Sequence, residues 1–207
     1  MPKTSLAAPS EDDVMHAIKT FDEENLEIEW LLDHLFAQYP RNTALSEVSL
    51  KTRVLNLLYS TRILAVDIVA QHITGLPGID EMIAMGAPEA VDQIAYVKIG
   101  EKIRCHFSFA SKYCSWHNPE AYPIYDSRAE ECLWQFERQD KFAGFRRYDE
   151  YKYAEFVRRV TAFRNRYELG DFSFKQLDKY LYSQGNLLLA AEVRTDESSR
   201  GVIEQDS

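Results

Sequence analysis

Apolar residues in this chain recur at intervals of three, four and seven, and nowhere do they alternate convincingly with polar ones. That period belongs to amphipathic helices. Val14, Ile18, Phe21, Ile28, Leu31, Leu32, Leu35 and Phe36 describe a first helix, closed by Pro40 and bent near Asn25. A second helical pattern runs from about Leu45 to Ile73 through Val48, Leu55, Leu58, Val66 and Val69, ended by Gly75, Pro77 and Gly78. Shorter helices follow: Ile79 to Met85, one opening at Pro88 and ending at Gly100, and an aromatic one from about His106 to His117. A capping box at Ser127 and Glu130 opens the next, residues 149–167 repeat aromatics at helical spacing, and Ser173 with Gln176 caps a last short helix. The expectation is an all-α fold of about eight helices. They should form one compact domain over residues 13–193, two lobes around a cleft, with a disordered leader at 1–12 and a flexible tail at 194–207.

The 207 residues suffice for one sizeable core and not for two independent large domains. No apolar run approaches the roughly 18 residues that cross a bilayer, and the N-terminus lacks a charged start followed by an apolar stretch. A cytoplasmic protein is expected. Cys105, Cys114 and Cys132 are odd in number and lack C-x-x-C spacing, so they read as reduced thiols in a core. The five histidines are scattered singly, and there is no glycine-rich phosphate loop, G-x-S-x-G elbow or H-E-x-x-H. No metal and no nucleotide cofactor is indicated.

Net charge is −9, which at face value disfavours a phosphate-coated partner. Its distribution changes the picture. Residues 1–101 carry 7 basic and 16 acidic residues, residues 102–166 carry 13 and 9, and the remainder 4 and 8. Only the middle third is positive, so any nucleic acid is expected there, although a solvated helix face rich in ion pairs reads equally well.

Within that third, residues 107–128 place Lys112 on a helix, then a loop bounded by Pro119 and Pro123, then Asp126 directly before the next helix. An aspartate at that boundary accepts hydrogen bonds from free backbone N–H groups, and the helix dipole favours its charge. From physics alone it is a plain cap or a fixed carboxylate for chemistry.

At these residues the chain resembles the helix-hairpin-helix-GPD DNA glycosylase superfamily, and within it the 8-oxoguanine-glycosylase-like proteins. Lys112 and the run Tyr122-Pro-Ile-Tyr-Asp126-Ser-Arg128 are similar to that family's lysine helix, loop and helix-opening aspartate. Val54 to Thr61 and Leu177 to Leu181 extend a weaker similarity over most of the chain. The family's glycine-rich hairpin before the lysine is replaced by Arg104-Cys-His-Phe-Ser-Phe-Ala-Ser111, without glycine, and Lys112 precedes Asp126 by 14 residues.

The resemblance implies a DNA glycosylase, a hydrolase with possible associated lyase activity, excising a damaged or modified base in repair or in antiviral defence. Cleaving a base from deoxyribose builds positive charge at C1′, which Asp126 would stabilise. Lys112 would attack C1′ if burial lowered its pKa; without it Asp126 would orient water. A flipped base needs an aromatic pocket, for which Tyr113, Trp116, His117, Tyr122, Tyr125 and Trp134 are candidates, each also readable as core. Arg104, Arg128, Arg146 and Arg147 are candidates for DNA phosphates, whereas Arg158, Arg159, Arg164 and Arg166 read as the solvated side of their helix. The expected partner is duplex DNA with a flipped base, bound by a monomer with no membrane contact. Two other classes compete: a non-catalytic nucleic-acid-binding module on this scaffold, and a helical interaction protein that never meets DNA.

Overall fold

The computed structural model describes residues 6–146 and 152–203, with side chains as far as residue 191. Among the described residues nine helices and one β-hairpin are present: α1 (Glu11–Gln38), α2 (Leu45–Leu58), α3 (Val66–Gly75), α4 (Ile79–Ala84), α5 (Glu89–Ala95), β1 (Tyr96–Ile99), β2 (Lys102–Cys105), α6 (Phe107–His117), α7 (Ser127–Asp140), α8 (Tyr153–Arg166) and α9 (Phe174–Ile203). The fold is all-α. One hydrophobic core runs from Val14, Leu32 and Phe36 of α1 through Leu55, Ile73, Val91 and Phe109 to Phe136, Phe163, Leu177 and Leu181. No helix among the described residues is long and apolar enough to cross a membrane.

Caps fix several boundaries. Ser10 and Asp13 form a reciprocal capping box at the start of α1, and Leu6 before it exchanges backbone hydrogen bonds with the Gln139 side chain. Ser173 and Gln176 form the box expected before α9. That helix continues to Ile203, past the point where the sequence pattern ended it. At α7 the cap is Asp126 rather than Ser127: its Oδ1 accepts from the N–H groups of Arg128 at 2.9 Å and Ala129 at 2.8 Å. Glu130, the expected partner of Ser127, instead accepts from the Tyr125 hydroxyl at 2.7 Å.

Two expectations gave way. The long pattern from Leu45 to Ile73 is two helices, α2 and α3, separated by a loop in which Ser60 and Arg62 take positive φ values of 49° and 59°. Asn56 organises that loop: its Oδ1 accepts from Thr61 Oγ1 and the Ile63 N–H, and its Nδ2 donates to the Ile63 carbonyl. A side-chain amide that offers such local partners competes with the helical ladder. The segment read as ending at Gly100 is the helix α5 followed by the β1–β2 hairpin, with Tyr96 paired to Cys105 and Ile99 to Lys102. Val97 is the only residue of that ribbon that is fully buried, so a period-two signal could not show in the sequence.

The closest helix pairs include α7 with α9 and α1 with α9. Gly185 permits the first: a Cβ there would lie 2.5 Å from the Arg128 carbonyl oxygen. That approach brings the middle of α9 beside the N-terminus of α7, where the candidate site lies.

Candidate functional site

A cleft of about 1090 Å³ opens where α1, the 59–62 loop, the N-termini of α6 and α7, and α9 meet. Lys112 and Asp126 both line it. Helix α6 presents Lys112 at a position flanked by Phe109 and Trp116, so the side chain grows out of the core and is almost wholly covered. Its Nζ donates to Ser108 Oγ at 2.8 Å and makes a longer contact of 3.4 Å with the carbonyl of Tyr125, the residue before Asp126. It also stands 5.2 Å from the centroid of the Tyr59 ring. Burial drives the Lys112 pKa down from its ordinary value, against the opposing pull of Asp126 and Asp178.

Asp178, from α9, also lines the cleft. Its Oδ1 is buried with no hydrogen-bond partner among the described residues. Burial pushes its pKa well above the usual carboxylate range, the charge of Asp126 adds to the rise, and Lys112 opposes it. Burial thus favours the neutral form of each group, and the attraction between ammonium and carboxylate favours the charged forms. Around them, Glu29 of α1 accepts from Lys175 at 2.9 Å and Lys179 at 3.2 Å, while Lys179 also pairs with Asp22. These contacts tie α1 to α9 across one side of the cleft.

The sequence candidates separate into two groups. Lys112, Tyr125, Asp126 and Arg128 come together at the cleft. Tyr125 sets its ring edgewise on Phe107 and Phe156, and the Arg128 guanidinium bonds Asn186 and lies over Tyr182. The remaining ring candidates do not line it. Tyr113 is in the core with its hydroxyl on Asn42 Oδ1 at 2.6 Å; Tyr122 donates to the carbonyls of Met82 and Ala87. Trp116 lies behind the wall, donating from Nε1 to the Tyr59 hydroxyl at 3.1 Å, and Trp134 packs against Phe145. His117 Nε2 sits 3.2 Å from the Lys51 ammonium, which together with burial lowers its pKa to about 3. Each ring found an apolar neighbour or a buried partner before it found the cleft, as aromatic residues at helical spacing usually do.

Of the basic candidates, Arg104 is on the exposed β2 strand and Arg146 is exposed after α7; neither lines the cleft, and Arg147 lies outside the described residues. Arg159 is not solvated: it is 1% exposed, pairs with Glu155 and lies over the Phe145 ring. Arg158 pairs with the same glutamate, while Arg164 and Arg166 lie over Phe174 and Tyr167. The positive middle third is therefore partly committed within the molecule. Cys114 and Cys132 are buried thiols as expected, but Cys105 is exposed at the cleft margin.

Sequence reading missed Asp178, Glu29, Tyr59 and Arg62 as cleft residues. One signal existed for Asp178. It occupies the apolar stripe of α9 marked by the buried Phe174 and Leu181, a position where a charge has a structural or chemical reason to be.

An all-α scaffold with a polar cleft between its first, sixth, seventh and ninth helices is the class these features define. A family model described as the HI_0787_N N-terminal domain matches residues 13–121, more than half of the chain, and the chain belongs to that family. The match takes in Lys112 and stops before Asp126. A relative from Haemophilus influenzae, printed as "Uncharacterized protein", is 42% identical over 130 residues, covering 63% of this chain and 62% of that protein. The chain thus spans less than two thirds of that relative's length. No solved structure matches.

Proposed function

We propose that the protein is a DNA N-glycosylase that excises a damaged or modified base, acting in the cytoplasm on a flipped nucleotide held in the α1/α6/α7/α9 cleft. The observation that carries this reading is the convergence of Lys112 of α6, Asp126 at the cap of α7 and Asp178 of α9 at one cleft with Lys112 desolvated. A lysine nucleophile must be neutral near pH 7, and the burial of Lys112 acts in that direction. The Lys112 proton would reside on Asp178. The amine then attacks C1′, a C–N bond forms as the glycosidic bond breaks, and the departing base takes a proton from the Asp178 carboxyl. Asp126, held by two backbone N–H groups of α7, presents a fixed negative charge to the sugar as cationic character develops. The amine adduct opens to an imine, the species from which strand cleavage proceeds.

A second reading, a non-catalytic nucleic-acid module, draws on the use of Asp126 Oδ1 for capping. The two separate in a base-release screen on duplexes bearing oxidised, alkylated or bulky modified bases. Excision by the native chain, lost by about a hundredfold or more in Asp126→Asn with little change in melting temperature, supports the enzyme. No release from any duplex in the screen would oppose it.

A further inference from the structure

We propose that Arg62 and Arg128 are the phosphate anchors of the cleft, each holding one of the two backbone phosphates that flank the flipped nucleotide. The inference rests on the glycosylase reading and adds the residues that grip the substrate strand. Five cations line the cleft, and they differ in how their charge is met. Lys175 and Lys179 are paired with Glu29, Asp33 and Asp22. Lys112 is covered. Arg128 bonds and stacks on neutral groups, the Asn186 amide oxygen and the Tyr182 ring. Arg62 is exposed and has no hydrogen-bond or ion-pair partner among the described residues. Two guanidinium charges are therefore left without a carboxylate at the cleft of a chain whose net charge is −9.

Their placement fits a strand that passes over Lys112. The Lys112 Nζ contacts both elements that carry the arginines: it lies 5.2 Å from the Tyr59 ring centroid in the 59–62 loop and 3.4 Å from the Tyr125 carbonyl before α7. Arg62 follows Tyr59 by three residues, and Arg128 follows Tyr125 by three. A nucleotide whose C1′ stands at Lys112 has one phosphate on its 5′ side and another on its 3′ side, and each element offers one guanidinium. The planar guanidinium fork matches phosphate oxygens. The loop also holds Arg62 against its own conformational preference. Asn56 bonds Thr61 and Ile63, the residues on both sides of it, and Arg62 between them takes a φ of 59°. A Cβ disfavours that left-handed conformation, so glycine would be the more stable choice there. An arginine kept at such a position points to a use for its side chain. A merely solvated arginine would give no coupling to any one phosphate, which makes the two roles separable.

The test is fluorescence anisotropy with a short labelled duplex containing one tetrahydrofuran abasic analogue, which no lysine can attack. Single phosphates beside the analogue are replaced in turn by neutral methylphosphonates. For the native chain, neutralising either flanking phosphate should weaken binding by about tenfold. Arg62→Gln should weaken binding to the unmodified duplex by about the same factor and flatten the salt slope by about 1. It should also lose its sensitivity to one flanking phosphate and keep its sensitivity to the other. Arg128→Gln should show the converse; if that variant, which also unties α7 from α9, melts early, Arg62 carries the test. Arg62→Gly should bind as weakly as Arg62→Gln while melting about 2 °C above the native chain, which separates loss of the guanidinium from damage to the loop. Arg53→Gln, whose native guanidinium pairs with Asp67 outside the cleft lining, should stay sensitive to both phosphates. Binding by the native chain with Arg62→Gln still sensitive to both phosphates, or with Arg62→Gly binding as tightly as the native chain, would overturn the anchor role and leave the glycosylase reading standing. No binding by the native chain at low salt would overturn both.

Discussion

Of the three lysines buried among the described residues, Lys51, Lys112 and Lys179, the first two are held in different ways. Lys51 on α2 is fully covered, and its ammonium donates to the carbonyls of Tyr39 and Arg41 and to Asn42 Oδ1 at 2.8 to 2.9 Å, with neutral His117 as a further neighbour. Burial still lowers its pKa to about 8, but the three donors of the ammonium all have acceptors. Lys112 has one short hydrogen bond, to Ser108, and one long contact, to Tyr125, and lines the cleft together with Asp178, whose Oδ1 has no partner among the described residues. The first arrangement knots the α1–α2 turn to α6. The second leaves a covered ammonium with a single short hydrogen bond at the wall of the cleft. Burial is common to both, and the count of satisfied donors is what separates them.

Replacement tests that contrast directly. Lys51→Met removes three hydrogen bonds of a fully covered ammonium and should cost about 3 kcal/mol or more in urea denaturation, whereas Lys112→Met should fall within about 1 kcal/mol of the native chain. Equal losses would dissolve the distinction.

The same contrast was partly legible in the sequence. Lys51 lies on the stripe of Val48 and Leu55, Lys112 on that of Phe109 and Trp116, and Asp178 on that of Phe174 and Leu181. Charged residues at apolar positions of a helix are where local rules and the fold disagree, and such places are strained or functional. The helical periodicity fixed the fold class, and Lys112 and Asp126 stood out through the loop and helix boundary between them. What the sequence could not show is which aromatic faces solvent, because Tyr113, Tyr122 and Tyr125 share one composition and separate only by the neighbours that α1, α4 and α8 bring. The break at Ser60 to Arg62 was hidden for a related reason: Asn56 looks like any polar position of an amphipathic helix until its amide is seen holding the loop.

A smaller effect sharpens the Lys51 side. His117 has its pKa held near 3 against an ordinary 6.5, because burial disfavours its charge and a second cation would stand beside the Lys51 ammonium. A depressed native pKa means stability that is complete above the unfolded value and is lost as pH falls. Near pH 5 the loss should reach about 2 kcal/mol, measured by urea denaturation against pH 7, and His117→Gln should remove most of it. Unchanged acid sensitivity in that variant would assign it elsewhere.

The smallest effect belongs to the cleft. Asp178 has a raised native pKa, so its contribution to stability is fully present below the unfolded value of 3.8 and is lost as pH rises toward the native one. Asp178→Asn should therefore stabilise the protein by about 1 kcal/mol at pH 8, give no gain near pH 4, and slow base release. A variant that is less stable at pH 8 would make Asp178 a structural partner.

The most direct measurement of the central claim needs no knowledge of the excised base. A duplex with a natural abasic site presents the sugar aldehyde itself, and borohydride reduces any imine formed there to a permanent bond. Peptide mapping of the trapped complex should place the adduct on Lys112, Lys112→Gln should abolish it, and Lys51→Met, if folded, should not. An adduct spread over surface lysines, or one that survives Lys112→Gln, would contradict the account.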